Sequence, residues 1–339
     1  MQNLRCFAWV LVLTLGTTLG CNKKDEVGPD KAKVSDKKEE VPEDFVLNPF
    51  LPNQGEVKGV RVGDAGVSFD GGVGLTEEPT AELATKLVLD NPGAEPRVVH
   101  KYAFAENKTE KRTATVFMET PEAPQPPIKV SLEATPKKDG DKLVIALKAT
   151  KFEIVTQSDA DKAMAARAAQ GLAAAAGLTA LIEMKPDGAP GEVGFQAPQG
   201  PGAAVARQLV PMLSPLIEIL APSLPHEAIG VGAKWRQVVP QEEGGIKVTT
   251  TAIFELTAVN GDELSIKASI ERKANRQPLP EPPGATVSIE GTGSVEWVIK
   301  KTHIATKAKS ESSTTVKQNV PGQPEQTQTV KSRETLEAG

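Results

Sequence analysis

The sequence predicts an α+β fold that is mainly β, with a large curled antiparallel sheet, half-barrel or barrel-like, packed on two central helices. Apolar and polar residues alternate with period two in about ten segments between residues 80 and 338, as in strands with one wet face. Asx-Gly pairs, which favour tight hairpins, separate some of these segments. Two helical stretches interrupt the alternation near its middle. A sheet of that many strands is expected to curl or close.

The first 20 residues have the pattern of a secretory signal peptide. One positive charge, Arg5, precedes the uncharged stretch Cys6–Leu19, whose 14 residues are too short to span a bilayer. The stretch leads into Gly20-Cys21, which resembles the lipobox of bacterial lipoproteins, although Thr18 is less usual there than Leu. The resemblance implies that Cys21 becomes the acylated first residue of the mature protein, and several acyl chains would hold the protein on a membrane. An ordinary signal peptide and an anchor helix that contains a cysteine are the alternatives.

Cleavage before Cys21 would remove Cys6, and acylation would consume Cys21, so the mature chain would have no free thiol. Disulfides, thiolate catalysis and cysteine-ligated metal sites are therefore not expected. The cleavage leaves 38 basic and 44 acidic residues, a net charge of −6, and the basic residues are scattered. Nucleic acid is not expected as a partner. In Gram-negative bacteria, an Asp directly after the lipidated cysteine retains a lipoprotein at the inner membrane. This chain has Asn22 at that position, which by analogy implies that the protein is sorted to the outer membrane.

The sequence predicts two segments between the anchor and the folded domain. Residues 21–44 comprise the lipidated cysteine and a stretch rich in Lys and acidic residues, which cannot bury enough apolar surface to fold and is predicted to be a disordered tether. Residues 45–79 are rich in Gly and Pro and are predicted to be an irregular arm with one or two edge strands. The remaining residues, 80–338, are predicted to form one β domain with a helical insertion at about 158–222.

The strands of the domain are predicted from alternation bounded by turn residues. They are Leu83–Leu89, Arg97–Phe104, Thr113–Glu119, Ile128–Thr135, Lys142–Val155, Thr179–Lys185, Glu192–Ala197, Lys234–Val239, Val248–Val259, Glu263–Arg272, Thr286–Lys300, His303–Lys317 and Gln326–Leu336. Two of the hairpins resemble each other, one with Asp139-Gly140 and one with Asn260-Gly261 at its turn. Duplication of a sheet unit and chance similarity between two hairpins both explain this.

The helical insertion contains two different helices. Ser158 and Asp161 have capping-box spacing before the alanine-rich segment Asp159–Gly177. The second helix, Ala203–Ala221, is apolar on nearly all sides, so we expect it to be buried rather than to span a membrane. Within it, Leu213 and Leu216 flank Pro215 and are the predicted lining of an apolar cavity, with simple core packing as the alternative.

The segment after the second helix carries a family resemblance. The run Gly230-Val231-Gly232-Ala233-Lys234-Trp235 between two β-rich halves resembles an uncharacterised family of bacterial envelope lipoproteins, a domain of unknown function, over about Leu83–Lys331. This resemblance implies no activity, cofactor or catalytic residue. The architecture also resembles Lol-type and mycobacterial lipoproteins that carry acyl chains, which implies an apolar ligand. From the residues alone, Gly230 and Gly232 are interpreted as backbone requirements and Trp235 as a core anchor.

Catalytic patterns are incomplete in this sequence. Gly66-Val67-Ser68 begins a nucleophile-elbow pattern whose last glycine is replaced by Asp70, and His226-Glu227 begins a zinc motif whose second histidine is replaced by Gly230. The three histidines, His100, His226 and His303, share no metal-site spacing. The sequence therefore predicts no enzyme activity, no cofactor and no metal site.

Three functions are consistent with these observations. The first is a non-catalytic envelope lipoprotein that binds a lipid or other apolar ligand, with the membrane as a partner through its anchor. The second is a structural or assembly component with an envelope protein as partner. The third, which few residues favour, is an unrecognised hydrolase.

Overall fold

A computed structural model of the chain describes residues 60–63, 66–69, 86–120, 125–139, 142–200, 202–243, 245–279 and 283–339. The described helices and strands are, in chain order, β1 Val60–Gly63, β2 Gly66–Phe69, β3 Lys86–Asn91, β4 Glu110–Glu119, β5 Ile128–Asp139, β6 Lys142–Ile154, α1 Asp159–Ala174, β7 Thr179–Met184, β8 Pro190–Gln196, α2 Gly202–Glu218, β9 Lys234–Glu243, β10 Ile246–Asn260, β11 Glu263–Pro278, β12 Thr286–Lys300, β13 Lys307–Asn319 and β14 Gln326–Ala338. The predicted signal peptide, Cys21 and the tether lie outside the described residues.

Strands β3 to β14 form a 12-stranded antiparallel sheet in the order β3-β9-β10-β11-β12-β13-β14-β4-β5-β6-β7-β8. Two meanders, β4–β8 and β9–β14, join where β14 pairs with β4. Strands β1 and β2, which lie within the predicted arm, pair with each other in a separate sheet. The mainly β, antiparallel prediction is confirmed.

The predicted half-barrel or barrel-like curl is wrong, because the sheet is neither closed nor strongly curled. Its edge strands, β3 and β8, do not pair with each other. Closure is one way to bury an apolar sheet face, and packing of helices on that face is another. Here α1 packs against β6 and α2, and α2 contacts β14. The face of the sheet that carries these helices, called the inner face below, is therefore covered without closure.

The long strands alternate between buried and exposed side chains, as predicted. In β12, whose bounds match the prediction, Val295, Trp297 and Ile299 are buried on the inner face, while Ser294 and Glu296 are exposed. The hairpin turn between β10 and β11 lies one residue later than predicted, since Asn260 pairs with Glu263. Its two turn residues are therefore Gly261 and Asp262, and the φ of 64° at Gly261 suits glycine.

Helix α1 begins as the sequence predicts. The Ser158 hydroxyl accepts the Asp161 N–H at 3.1 Å, and the Asp161 carboxylate accepts the Ser158 N–H at 2.9 Å. This capping box satisfies two backbone donors that the helix itself leaves unpaired. Ala168 and Leu172 are buried, and Met164 remains 47% exposed. The stripe of small side chains on α1 therefore lies against the core along only part of its length.

Helix α2 is buried along its apolar side, and two tryptophans hold its C-terminal end on the sheet. The Trp297 indole donates to the Ile219 carbonyl at 3.1 Å, and the Trp235 indole donates to the Ser223 carbonyl at 2.8 Å. Phe254 stacks with both rings, at centroid distances of 5.4 and 5.9 Å. Among the described residues, no helix has the length and apolar character needed to cross a membrane.

One predicted strand, Arg97–Phe104, is absent from the sheet. Its residues do alternate, with His100, Tyr102 and Phe104 buried, but its only β-bridge to another described residue is Val98 with Ile229. The N–H groups of Tyr102 and Ala103 donate instead to the carbonyls of Pro186 and Lys301, which lie in loops. The alternation arises from packing between loops, so the prediction of a strand was wrong.

Candidate functional site

Three loops meet beside the end of the β7–β8 hairpin and enclose a cleft of about 440 Å³. The first is the irregular segment 97–104, the second is the β7–β8 turn at 185–189, and the third follows α2. The cleft is lined by His100, Lys101, Lys185, Pro186, Asp187, Pro225 and His226. These residues come from positions up to 126 apart in the sequence, so the cleft exists only in the folded chain.

Hydrogen bonds hold the three loops together. The Tyr102 N–H donates to the Pro186 carbonyl at 3.2 Å, and the Leu224 N–H donates to the Asp187 carbonyl at 2.7 Å. The buried Tyr102 hydroxyl donates to the Pro222 carbonyl at 3.0 Å. Burial, followed by the nearby Asp187 carboxylate, raises the pKa of Tyr102 well above its usual value, so this hydroxyl keeps its proton and remains a donor.

Gly188 is required for the closeness of these loops. Its φ is +84°, which L side chains rarely adopt, and a Cβ atom there would lie 2.2 Å from the Tyr102 ring. The ring and the β7–β8 turn therefore touch only because residue 188 has no side chain.

His100 is the unusual residue of the cleft. It is only 2% exposed, and its Nδ1 atom has no hydrogen-bond partner among the described residues. Burial, followed by the positive charge of Lys301, lowers the pKa of His100, and a hydrogen bond to the Ile229 backbone opposes this shift. The neutral ring has a single N–H, and with that N–H donated to the Ile229 carbonyl, Nδ1 is left as an acceptor.

The other polar groups of the cleft are more exposed. The Asp187 carboxylate accepts the Ala189 N–H at 3.0 Å, and its second oxygen lies 3.8 Å from Nε2 of His226. The His226 side chain is 75% exposed. Lys101 and Lys185 are exposed, and neither forms a salt bridge with another residue of the described ranges. The cleft therefore combines two cationic amines with a half-buried carboxylate and a buried acceptor.

Comparisons with known protein families, with curated proteins and with solved structures found no match. The resemblance to envelope lipoproteins of unknown function remains a prediction from the sequence. The cleft therefore has to be interpreted from its own chemistry.

The structure brings two of the three histidines together, which sequence spacing did not indicate. His100 and His226 line the cleft, whereas His303 lies elsewhere. Glu227, the second residue of the incomplete zinc motif, is not among the lining residues. Within the described ranges, no group of three His, Cys, Asp or Glu side chains is arranged to hold a metal ion. The burial of His100 follows the alternation of segment 97–104, but its proximity to residue 226 has no sequence signal.

His303 belongs to a largely buried ionic cluster that fastens strand β4 to the loop between β12 and β13. Its Nδ1 lies 2.5 Å from a Glu110 carboxylate oxygen, and the other oxygen accepts from Arg112 at 2.6 Å. The same guanidinium donates to the carbonyls of Ile304 and Ala305, so it ties β4 to the loop before β13. Because these donors are satisfied, the cluster is best interpreted as structural.

The remaining predicted site residues lie apart from the cleft. Leu213 and Leu216 are fully buried on α2 and do not line the cleft, and their burial fits both predicted alternatives, core or cavity lining. Ser68 lies on β2, and Cys21 lies outside the described residues.

The distinctive run before β9 has the structural roles predicted for it. A Cβ atom at Gly230 would lie 1.9 Å from the Ala94 carbonyl oxygen, Gly232 has a φ of +83°, and Trp235 is fully buried. Both glycines serve backbone geometry, and Trp235 is a core anchor, as predicted.

Proposed function

We propose that this protein is a non-catalytic, lipid-anchored protein of the bacterial cell envelope, held at the outer membrane, that binds a small ligand in the cleft beside His100. The single observation that carries the binding function is the cleft lined by His100, a buried imidazole whose Nδ1 atom has no hydrogen-bond partner among the described residues. The anchor is proposed from the sequence around Cys21.

An unpaired buried acceptor favours a ligand on energetic grounds. Nearly all buried polar atoms in proteins have a hydrogen-bond partner. Leaving one without a partner costs about 1–3 kcal/mol of stability. Nδ1 has less than 1 Å² of accessible surface, so a ligand donor would remove this cost only if the loops around the cleft moved to expose that atom.

The tether suits the display of a binding domain. A flexible chain the length of residues 22–44 has a root-mean-square span of ~25–30 Å. That span would hold the domain clear of the lipid headgroups while the anchor keeps it at the membrane. A ligand or partner in the aqueous space near the membrane would therefore have access to the cleft.

Mass spectrometry of what co-purifies with the protein tests this function. Full-length wild type, His226→Ala and Leu216→Trp would be purified from bacterial envelopes in detergent, and their aqueous and organic extracts compared. We expect a polar molecule in wild type and Leu216→Trp that is absent from His226→Ala, since His226 is exposed in the cleft and its loss should not disturb the core. An apolar molecule absent only from Leu216→Trp would instead support the predicted cavity on α2. Identical extracts without any bound molecule would contradict a binding function.

A further inference from the structure

The two edges of the large sheet differ in how they are protected. The edge strand β8 begins with Pro190, which has no N–H to donate to a further strand, and β2 contacts β8. The edge strand β3 pairs with β9, and within the described ranges no strand pairs with its other side. A free edge carries a row of unpaired N–H and C=O groups, which favour pairing with another strand.

The side chains at the centre of β3 favour such pairing. Leu87 and Leu89 pack against the core on the inner face but are only partly buried. Val88 is 43% exposed on the opposite face of the sheet, the outer face. Edge strands that avoid association commonly carry a charge or a proline at such positions. Pairing along β3 would remove this apolar surface from water and satisfy the backbone groups at the same time.

Opposite charges lie on either side of Val88. Lys86 is exposed and forms no salt bridge with another described residue. The Asp90 carboxylate accepts from the guanidinium of Arg236 at 3.2 Å. Because Arg236 is the register partner of Val88, this bond holds the carboxylate on the outer face, although Asp90 lies at a bulge in the pairing with β9. The outer face of β3 therefore presents a positive charge, a valine and a negative charge in that order.

This order is complementary to its own reverse. In an antiparallel pair, hydrogen-bonded and non-hydrogen-bonded positions alternate, so a strand can pair with a copy of itself only where one residue faces its own counterpart. With Val88 at that position, Leu87 faces Leu89 of the second copy, and Lys86 faces Asp90 of the second copy. With Leu87 or Leu89 there instead, Val88 would face a charged residue. The arrangement centred on Val88 is therefore the favoured one.

We propose that two copies of this protein associate through β3, in an antiparallel pair centred on Val88. The pair joins the two sheets edge to edge, with both outer faces on the same side, and the contact between Lys86 and Asp90 occurs twice. Because the β8 edge is protected, the assembly closes at two copies and does not grow into a fibre. The paired segment is short, so we expect a Kd in the micromolar range. This inference does not depend on a ligand in the cleft, so it and the proposed function can fail separately.

Charge reversal tests the pairing and its register. Full-length wild type, Lys86→Asp, Asp90→Lys and the double variant would be compared by analytical ultracentrifugation at micromolar concentrations, in a density-matched detergent. Each single reversal places like charges opposite each other twice and should weaken the dimer about tenfold or more. The double variant should regain the wild-type affinity. Within one strand the two residues are about 13 Å apart, so this recovery can arise only between two copies. Glu192→Lys, which reverses an exposed charge on β8, is the matched control and should leave the dimer unchanged.

A cysteine at the centre of the pair gives a second measurement. Val88→Cys brings two thiols together at the two-fold axis, so mild oxidation should link two copies. Ile253→Cys is the matched control, because Ile253 is 46% exposed on the same face but lies on β10, inside the sheet. Mass spectrometry of the linked peptides distinguishes a bond between the two introduced cysteines from one that involves Cys6 or Cys21.

Several outcomes would overturn the proposal. A wild type that stays monomeric throughout the micromolar range would do so. A dimer that is unaffected by both single reversals, or whose affinity the double variant does not regain, would place the contact on another surface. A dimer weakened by Glu192→Lys would place it at the other edge. Equal linking of the two cysteine variants, or no link in Val88→Cys, would show that Val88 does not lie at the centre of a pair.

Discussion

At the scale of single residues, the buried charged groups of the sheet affect the stability of the fold differently from its exposed ion pairs. Glu334 of β14 is 2% exposed, and its Oε1 has no hydrogen-bond partner within the described part of the chain. Burial raises the pKa of this carboxyl group, and hydrogen bonds from Ser332 and Ser310 oppose the shift. Its charge is therefore a cost to the folded state near neutral pH.

The Glu334→Gln variant should be more stable than wild type at pH 7–8 and about equally stable near pH 4. The folded carboxyl group keeps its proton to a higher pH than the unfolded one, so the folded state binds more protons above pH ~4.3. Stability of the wild type then falls as the pH rises through the raised pKa, and the uncharged amide removes this dependence. Melting temperatures measured from pH 4 to pH 8 test this, and parallel curves for the two proteins would contradict it.

The cluster of Glu110, Arg112 and His303 should be far more sensitive to mutation. Glu110→Ala leaves a buried guanidinium without its carboxylate, which typically costs about 3–5 kcal/mol. Glu311→Ala breaks an exposed ion pair with Lys309 and is the matched control, with a much smaller effect. Urea denaturation measures both changes, and equal effects of the two variants would mean that the buried cluster does not stabilise the fold.

At the scale of elements, the sequence predicted most strands because their alternation coincides with hydrogen bonding to neighbours. Both ends of β12 were predicted correctly. The start of α1 could be predicted because its capping box involves only residues close together in the sequence. The sequence pattern misassigned Arg97–Phe104, where burial alternates but the backbone donors bond to loop carbonyls. It also predicted a half-barrel or barrel-like sheet, whereas the sheet is neither closed nor strongly curled, because closure depends on what covers a sheet face. The cleft could not be predicted, since the approach of His100 to His226 depends on how distant loops pack.

The β7–β8 turn should tolerate no side chain at residue 188. Gly188→Ala adds a methyl group 2.2 Å from the Tyr102 ring and forces alanine into a left-handed conformation. Gly200→Ala is the control, since Gly200 has a φ of +87° but nothing within 4 Å of an added Cβ atom. The left-handed conformation alone costs about 1–2 kcal/mol for each variant. We expect Gly188→Ala to lower the melting temperature clearly more than Gly200→Ala, and equal losses would show that the ring contact does not constrain the turn.

The interior of α2 distinguishes core packing from an apolar cavity. Leu216 is fully buried, and Leu216→Ala should cost about 2–5 kcal/mol if it is core. Leu216→Trp should then also destabilise the protein, because a packed core has no room for the larger ring. Thermal unfolding of both variants measures this. A stable Leu216→Trp protein that has lost an apolar molecule would instead support the cavity predicted at Leu213 and Leu216.

At the scale of the whole molecule, the fold separates a covered face from a wet one. The inner face of the sheet carries α1, α2 and the buried aromatic stack, whereas the outer face carries ion pairs such as Lys309 with Glu311 and Lys331 with Glu119. The edge strands β3 and β8 are short, with six and seven residues, which confines edge-to-edge association to short segments. The anchor proposed at Cys21 would hold this domain at a membrane.

The most direct test of this account is metabolic labelling of the full-length protein with a fatty-acid analogue. Wild type, Cys6→Ser and Cys21→Ser would be compared for incorporated label and for recovery in the membrane fraction. We expect label and membrane association in wild type and in Cys6→Ser, because Cys6 lies in the predicted signal peptide, and neither in Cys21→Ser. Label retained by Cys21→Ser, or lost from Cys6→Ser, would contradict a lipid anchor at Cys21.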